Sequence, residues 1–172
     1  MSDLSTNTQE RVLPVSLIIT SRNRSQLLRE AIQSILSGQK LPGEIVIVDQ
    51  SDVAQSGLEQ LAIDGCELNY LWVQSVGLSR ANNTGIAAAR YDLLAFTHAD
   101  VLVEPDRLEN LLRSLLSHGP RSVVTGRVMG RPEPGVKGFA PSTREDTVAQ
   151  VYRGRINTDV LYPMSMALYR SA

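Results

Sequence analysis

Cysteine is almost absent from this chain: Cys66 is the only one in 172 residues. That excludes a disulfide framework and a cysteine-based metal site, and it suits a reducing compartment. Long hydrophobic runs are absent too. The longest apolar stretches fall far short of the ~20 residues a membrane span needs, and Ser2–Arg11 is polar with no apolar signal core. The chain therefore reads as cytoplasmic, with peripheral membrane attachment left open. A strong net charge is also lacking. At −1 overall, nothing global points to a nucleic-acid partner. From Arg121 onward eight Lys/Arg face four Asp/Glu, so the first 120 residues are the acidic part. The basic residues are scattered, which reads as a solvated surface more readily than as a face for phosphate or an acidic acceptor. Two phosphate motifs are missing as well. No Gly-x-Gly-x-x-Gly follows the first apolar run, and no Gly-x-x-x-x-Gly-Lys-Ser/Thr occurs anywhere.

What the chain does have is alternation. Val15–Thr20 is a β-branched run suited to a buried strand. Asn23, with Gln26 as capping-box partner, predicts a helix carrying Leu27, Leu28, Ala31, Ile32, Ile35 and Leu36 at helical spacing, stopped by Gly38. Pro42-Gly43 is read as a turn into a second strand, Glu44–Asp49. A helix over 56–63, a third strand over Leu68–Val73, an Ala-rich helix over Ser79–Arg90 and a fourth strand over Leu93–Thr97 follow. Pro105 fits a first helical turn, Leu108 to Leu116 give that helix an apolar face, and Gly119-Pro120 ends it. Ser122–Gly126 is read as a fifth strand. Strand–helix alternation of this kind implies an α/β fold, a mostly parallel sheet covered by helices on both sides. Residues 1–12 are read as a disordered lead-in, 13–128 as the α/β domain, and 129–172 as the start of a further region. Within it, 130–147 form a long irregular segment rich in Gly and Pro.

Each strand ends on polar residues, and a parallel sheet puts those ends on one edge, where ligands bind. Ser21-Arg22-Asn23-Arg24 after the first strand offers side-chain donors; the plainer reading is a helix cap with solvated arginines. Asp49-Gln50-Ser51-Asp52 after the second offers a carboxylate to a base imide or a ribose; the plainer reading is an Asx turn. His98-Ala99-Asp100 after the fourth offers Asp100 to a hard divalent cation that also holds a diphosphate, with His98 as an additional ligand if the cation is Mn²⁺. For His98 alone, a packing or surface role is the simpler reading. Gly77–Gly85 opens a helix with small residues and backbone donors suited to an anion, with Arg80 as the charged contact. A capped amphipathic helix explains the same residues.

Taken together, five segments in order resemble inverting glycosyltransferases of family 2, with the GT-A fold. Val15–Arg24 resembles the opening strand and its Asn-Arg turn. Glu44–Asp52 resembles the Val-Asp-x-x-Ser segment, Gly77–Gly85 the Gly-x-x-x-Ala-Arg-Asn-x-Gly segment, and Phe96–Leu108 the Asp-x-Asp motif with its following helix start. Met164–Ser171 resembles the Asn-Met-Ala-x-Arg-Arg-Ser stretch. The resemblance implies a Rossmann-like three-layer αβα sandwich and a nucleotide-diphosphate sugar donor. It also implies Mg²⁺ or Mn²⁺ at Asp100 with His98, and a saccharide, lipid-linked or other acceptor. Nucleotide contacts are implied at Thr20, Ser21, Arg22, Asp49, Ser51, Arg80 and Ala99. Asp49 would read the base, with Arg22 flanking it. In the family a carboxylate deprotonates the acceptor hydroxyl, which attacks and inverts the anomeric carbon.

Three departures qualify that expectation. His98 stands where the first acid of Asp-x-Asp belongs, and Asn82 where the Arg of Ala-Arg-Asn belongs. The catalytic base of the family comes after the segment matched by Met164–Ser171, so it is expected beyond Ala172 and the chain is read as truncated. Glu145, Asp146 and Asp159 lie in weakly matched sequence. A sugar-nucleotide-binding module without turnover is the alternative. A receiver-like signalling domain, which pairs a strand-end Asp with a strand-end Lys, is disfavoured because the only lysines, Lys40 and Lys137, are not at strand ends.

Overall fold

The computed structural model describes residues 10–61, 63, 65–130, 143, 146–154 and 161–172. Among the described residues six strands form one sheet: β1 (Val12–Ser21), β2 (Leu41–Asp49), β3 (Glu67–Trp72), β4 (Leu93–His98), β5 (Val123–Thr125) and β6 (Met166–Tyr169), in the order β3-β2-β1-β4-β6-β5. Three whole α-helices among the described residues accompany them: α1 (Ser25–Leu36), α2 (Leu78–Ala88) and α3 (Arg107–His118). β1 pairs in parallel with β2 and β4, and β2 with β3. β6 runs antiparallel to both β4 and β5.

Side-chain alternation along the strands builds two cores. Leu17, Ile19, Ile45, Ile47 and Ala95 pack with Leu28, Ile32 and Ile35 of α1 and with Leu108, Leu111, Leu112 and Leu115 of α3. Ile18, Val46, Val48, Leu94 and Phe96 pack on the other face with Ala81 of α2. This is the three-layer sandwich expected. Because β1 and β2 are covered on both faces, they read as unbroken apolar runs.

Several local expectations are corrected. Asn23 does not cap α1. Arg24 holds the cap position without a side-chain cap hydrogen bond, and the Gln26 amide donates to Glu30. Asn23 instead takes a left-handed φ of 53°, which asparagine tolerates, and this turns its amide toward Asp52. Pro42 and Gly43 are not a turn but lie inside β2, opposite a one-residue irregularity in β1 between Leu13 and Ser16. The helix over 56–63 shrinks to a 3₁₀ turn, Glu59–Leu61. Pro105 precedes the cap residue Asp106 rather than opening α3. Gly119 does end α3, with φ 86° and its N–H on Leu115 O. Most of 130–147 lies outside the described residues. The chain after it returns to the sheet as β6, which the sequence reading did not assign.

Candidate functional site

The parallel register settles which turns are neighbours. Ser21 aligns with Asp49, Thr20 with His98, and Asp49 with Trp72. The carboxyl ends of β1, β2, β3 and β4 therefore share one edge, and Asp49 and Asp100 follow from it on opposite sides of β1. Gln50 N–H donates to Ser21 O at 2.9 Å and Ala99 N–H to Thr20 O at 3.1 Å, so the β2 and β4 turns are both tied to the end of β1.

Asp49 is fully buried and already surrounded by donors. Its Oδ1 accepts Ser51 N–H at 3.1 Å and Ser51 Oγ at 2.5 Å, and its Oδ2 accepts the Tyr70 hydroxyl at 2.8 Å. Tyr70 Oη in turn accepts Gln55 N–H at 2.7 Å. Burial, more than its contact with Asp49, pushes the Tyr70 phenol up from its ordinary range. Ser51 Oγ also accepts Asn23 N–H at 2.7 Å, and Asn23 exchanges side-chain and backbone hydrogen bonds with Asp52. The Asx turn foreseen at Asp49 is thus present and linked to two neighbouring segments. Trp72 Nε1 donates to Ser51 O at 2.8 Å. The Gln50 amide donates to Ser75 O and accepts Gly77 N–H, fixing the entry to α2.

Asp100 is half exposed and is gripped by Arg24, whose Nη1 donates to Oδ2. His98 carries a buried Nε2 with no hydrogen-bond partner, and Ser21 Oγ is in the same condition. Burial lowers the His98 pKa; Asp100 raises it and Arg24 lowers it, so the imidazole is neutral at pH 7. Thr20, Ser51 and Ala99 are buried, whereas Arg22 and Arg80 are exposed. Neither α1 nor α2 has a side-chain N-cap bond. In a parallel αβ arrangement their N-terminal N–H groups, the positive ends of the helices, lie toward this same edge.

The residues expected to hold a cation do not fit one as they stand. Asp100 is occupied by a guanidinium, and His98 presents its orphaned nitrogen from a buried position. Among the described residues no three His, Cys, Asp or Glu side chains are grouped for a metal. Glu145 and Asp159 lie outside the described residues. Sequence reasoning missed Arg24, Tyr70 and Trp72. Arg24 was visible as part of a donor-rich turn, but its pairing with a residue 76 positions away follows only once β1 is known to lie beside β4.

The fold is that of a GT-A-like, Rossmann-like three-layer sandwich. The sequence pattern of Glycosyl transferase family 2 matches residues 16–171, and the chain belongs to that family. A Bacillus subtilis protein named as a glycosyltransferase, EpsH, is 29% identical over 102 residues, 58% of this chain and 30% of that protein. The chain spans about a third of the length of the curated relatives it matches. Among solved structures, S. aureus TarS 1-349 in complex with UDP-GlcNAc superposes with a TM-score of 0.68 at 17% identity, over 92% of this chain and 46% of that one. The Pyrobaculum calidifontis mannosyltransferase PcManGT, in complex with GDP-Man and Mn²⁺, gives 0.55 at 22% identity, over 69% and 36%. No helix among the described residues is long and apolar enough to cross a membrane.

Proposed function

We propose that this chain is the donor-binding part of a glycosyltransferase that moves a sugar from a nucleotide-diphosphate donor to an acceptor, with inversion at the anomeric carbon. One observation carries the reading: the turns after β1, β2 and β4 stand side by side on one sheet edge. They bring Ser21, Arg22, Arg24, Asp49, Ser51, His98, Ala99 and Asp100 together. Ligands of open α/β sheets bind at such an edge. The nucleoside lies over the β1 and β2 ends, beside Thr20, Ser21 and the Asp49–Ser51 turn, with Arg22 and Arg80 as exposed cations at the rim. The diphosphate lies toward Asp100. In transfer, the acceptor oxygen bonds to the anomeric carbon as the bond from that carbon to the diphosphate oxygen breaks. The bonding pair leaves with the nucleoside diphosphate and the acceptor proton passes to a carboxylate. Among the described residues, none is assigned as that base.

A divalent cation, Mg²⁺ or Mn²⁺, is what the resemblance implies for the diphosphate. The Mn²⁺ of the mannosyltransferase complex supports it, and the pairing of Asp100 with Arg24 stands against it. A nucleotide-binding module without turnover is the second reading, favoured by His98 in place of an acid. UDP and GDP, tested with and without Mn²⁺, are expected to raise the melting temperature, since a ligand at a hundred times its Kd adds about 2.7 kcal/mol of stability. No shift with any nucleoside diphosphate would sink the donor-binding reading. Release of free sugar from a nucleotide sugar, or transfer to an acceptor, separates the enzyme from the inert module.

A further inference from the structure

We propose that Arg24, rather than a divalent cation, supplies the positive charge that holds the donor diphosphate. The inference rests on the donor-binding reading above and departs from the cation the resemblance implies. Its starting point is the donor set. A hard cation needs several oxygen ligands, typically one or two carboxylates plus the phosphates and water. The only carboxylate of the His98-Ala99-Asp100 turn is held by the Arg24 guanidinium. His98 lacks the acid's charge, and its free nitrogen is buried without a partner. A cation arriving at Asp100 finds a single carboxylate, already shared with a guanidinium.

Arg24 is well placed to take the cation's part. It sits at the cap position of α1, where the first-turn N–H groups have no side-chain acceptor. It is half exposed, as is Asp100, so the pair is open to ligand on one side. Among the described residues its one side-chain hydrogen bond uses Nη1, which leaves further N–H groups of a five-donor fork for phosphate oxygens. Asp100 then acts as a positioning residue, holding the guanidinium over the end of β4. The arrangement needs no rebuilding of the site when donor binds, because an exposed ion pair holds little energy of its own.

The experiment is nucleotide binding by the full chain, measured calorimetrically with UDP and GDP in EDTA and in Mn²⁺. The expected result is binding in EDTA, with Mn²⁺ changing affinity by no more than about twofold. Arg24→Ala is expected to weaken binding in EDTA by about tenfold or more, the scale of a lost charge-assisted contact. It should also make binding Mn²⁺-responsive, because Asp100 is released. Arg24→Lys should recover part of the loss. Asp100→Asn keeps an amide oxygen to accept from the guanidinium and should leave metal-free binding within about twofold. The melting temperature of each variant, read without ligand, shows that the fold is intact. Binding that disappears in EDTA, or that Asp100→Asn abolishes, overturns the role of Arg24 while leaving the donor-binding reading in place. Failure of every nucleotide under every condition overturns both.

Discussion

Cys66 shows how a single side chain is set by its surroundings. It is buried at the start of β3, and burial, with Glu44 nearby as the lesser cause, pushes its thiol up to about 12. The thiol is therefore held neutral, and alkylation by iodoacetamide near pH 8 is expected only after unfolding; rapid labelling of the native chain would contradict this. Above pH 9.0 the unfolded thiol ionises while the folded one keeps its proton, so its contribution is intact below that pH and is lost as pH rises toward about 12. Urea midpoints of the native chain should fall more steeply over this window than those of Cys66→Ala; parallel curves would remove Cys66 as the cause. Glycine gives a second case. A Cβ at Gly85 would lie 2.5 Å from Ile18 Cγ2 and 3.4 Å from Val48 Cγ2. Ile18 is fully buried in the central strand and cannot swing away. Overpacking of this kind costs about 1–3 kcal/mol, against about 1 kcal/mol gained in helix propensity. Gly85→Ala should thus lower the melting temperature by a few degrees. At Gly43 the clash is with the ring and hydroxyl of Tyr91, the far end of a side chain, and the substitution there should cost less.

Among the elements, α2 depends on a residue far away in sequence. Its C-terminal turn and the segment after it present the carbonyls of Ile86, Ala89 and Tyr91 to the guanidinium of Arg170, at the end of β6. A cation at a helix C-terminus also meets the negative end of the macrodipole. Arg170→Ala should destabilise the chain by about 1–3 kcal/mol, read as a lower urea midpoint with unchanged slope; a neutral result would show the contacts to be solvent-equivalent. Arg107 plays a comparable part for the turn Pro163–Ser165. Its guanidinium reaches Phe96 O, Met164 O and Ser165 Oγ, and burial lowers its pKa to about 10, which leaves it charged at neutral pH. Neither role was legible from the chain. Apolar spacing showed α1 and α3, and β-branched runs showed β1 and β2, because those signals are local. The cap at Asn23 and the turn at Pro42-Gly43 were misread for the same reason. Both residues have a local use that suits their chemistry, and the sheet imposes a different one: Asn23 is drawn to Asp52 and Ser51, and Pro42 is paired along β1.

For the molecule as a whole, the parallel part of the sheet followed from the alternation of elements, and with it the meeting of the Asp49 and Asp100 turns on one edge. What did not follow is the strand that divides β4 from β5. Met166–Tyr169 is only four residues long, too short for a period of two to stand out, and its partners lie at least 70 and more than 40 positions earlier. Yet β6 joins β5 to the rest of the sheet. Its Ala167 is fully buried in the core shared with α1 and α3, and Met166 and Leu168 pack on the α2 face beside Phe96 and Leu94. Gly126 N–H donates to Ser165 O at 2.7 Å, and among the described residues β6 is the one strand neighbour of β5. Removing residues 161–172 would bare the apolar edge of β4, strand β5 and part of the α2 core together. Burial of several side chains at about 1.5–3 kcal/mol each is comparable with the whole stability of a domain, about 5–15 kcal/mol. A chain ending at residue 160 is therefore expected to lose cooperative melting and to bind the dye ANS, as loosened cores do. If it instead melts cooperatively within a few degrees of the intact chain, β6 is an accessory to the fold, and the edge that carries the Asp49 and Asp100 turns stands on β1 to β4 alone.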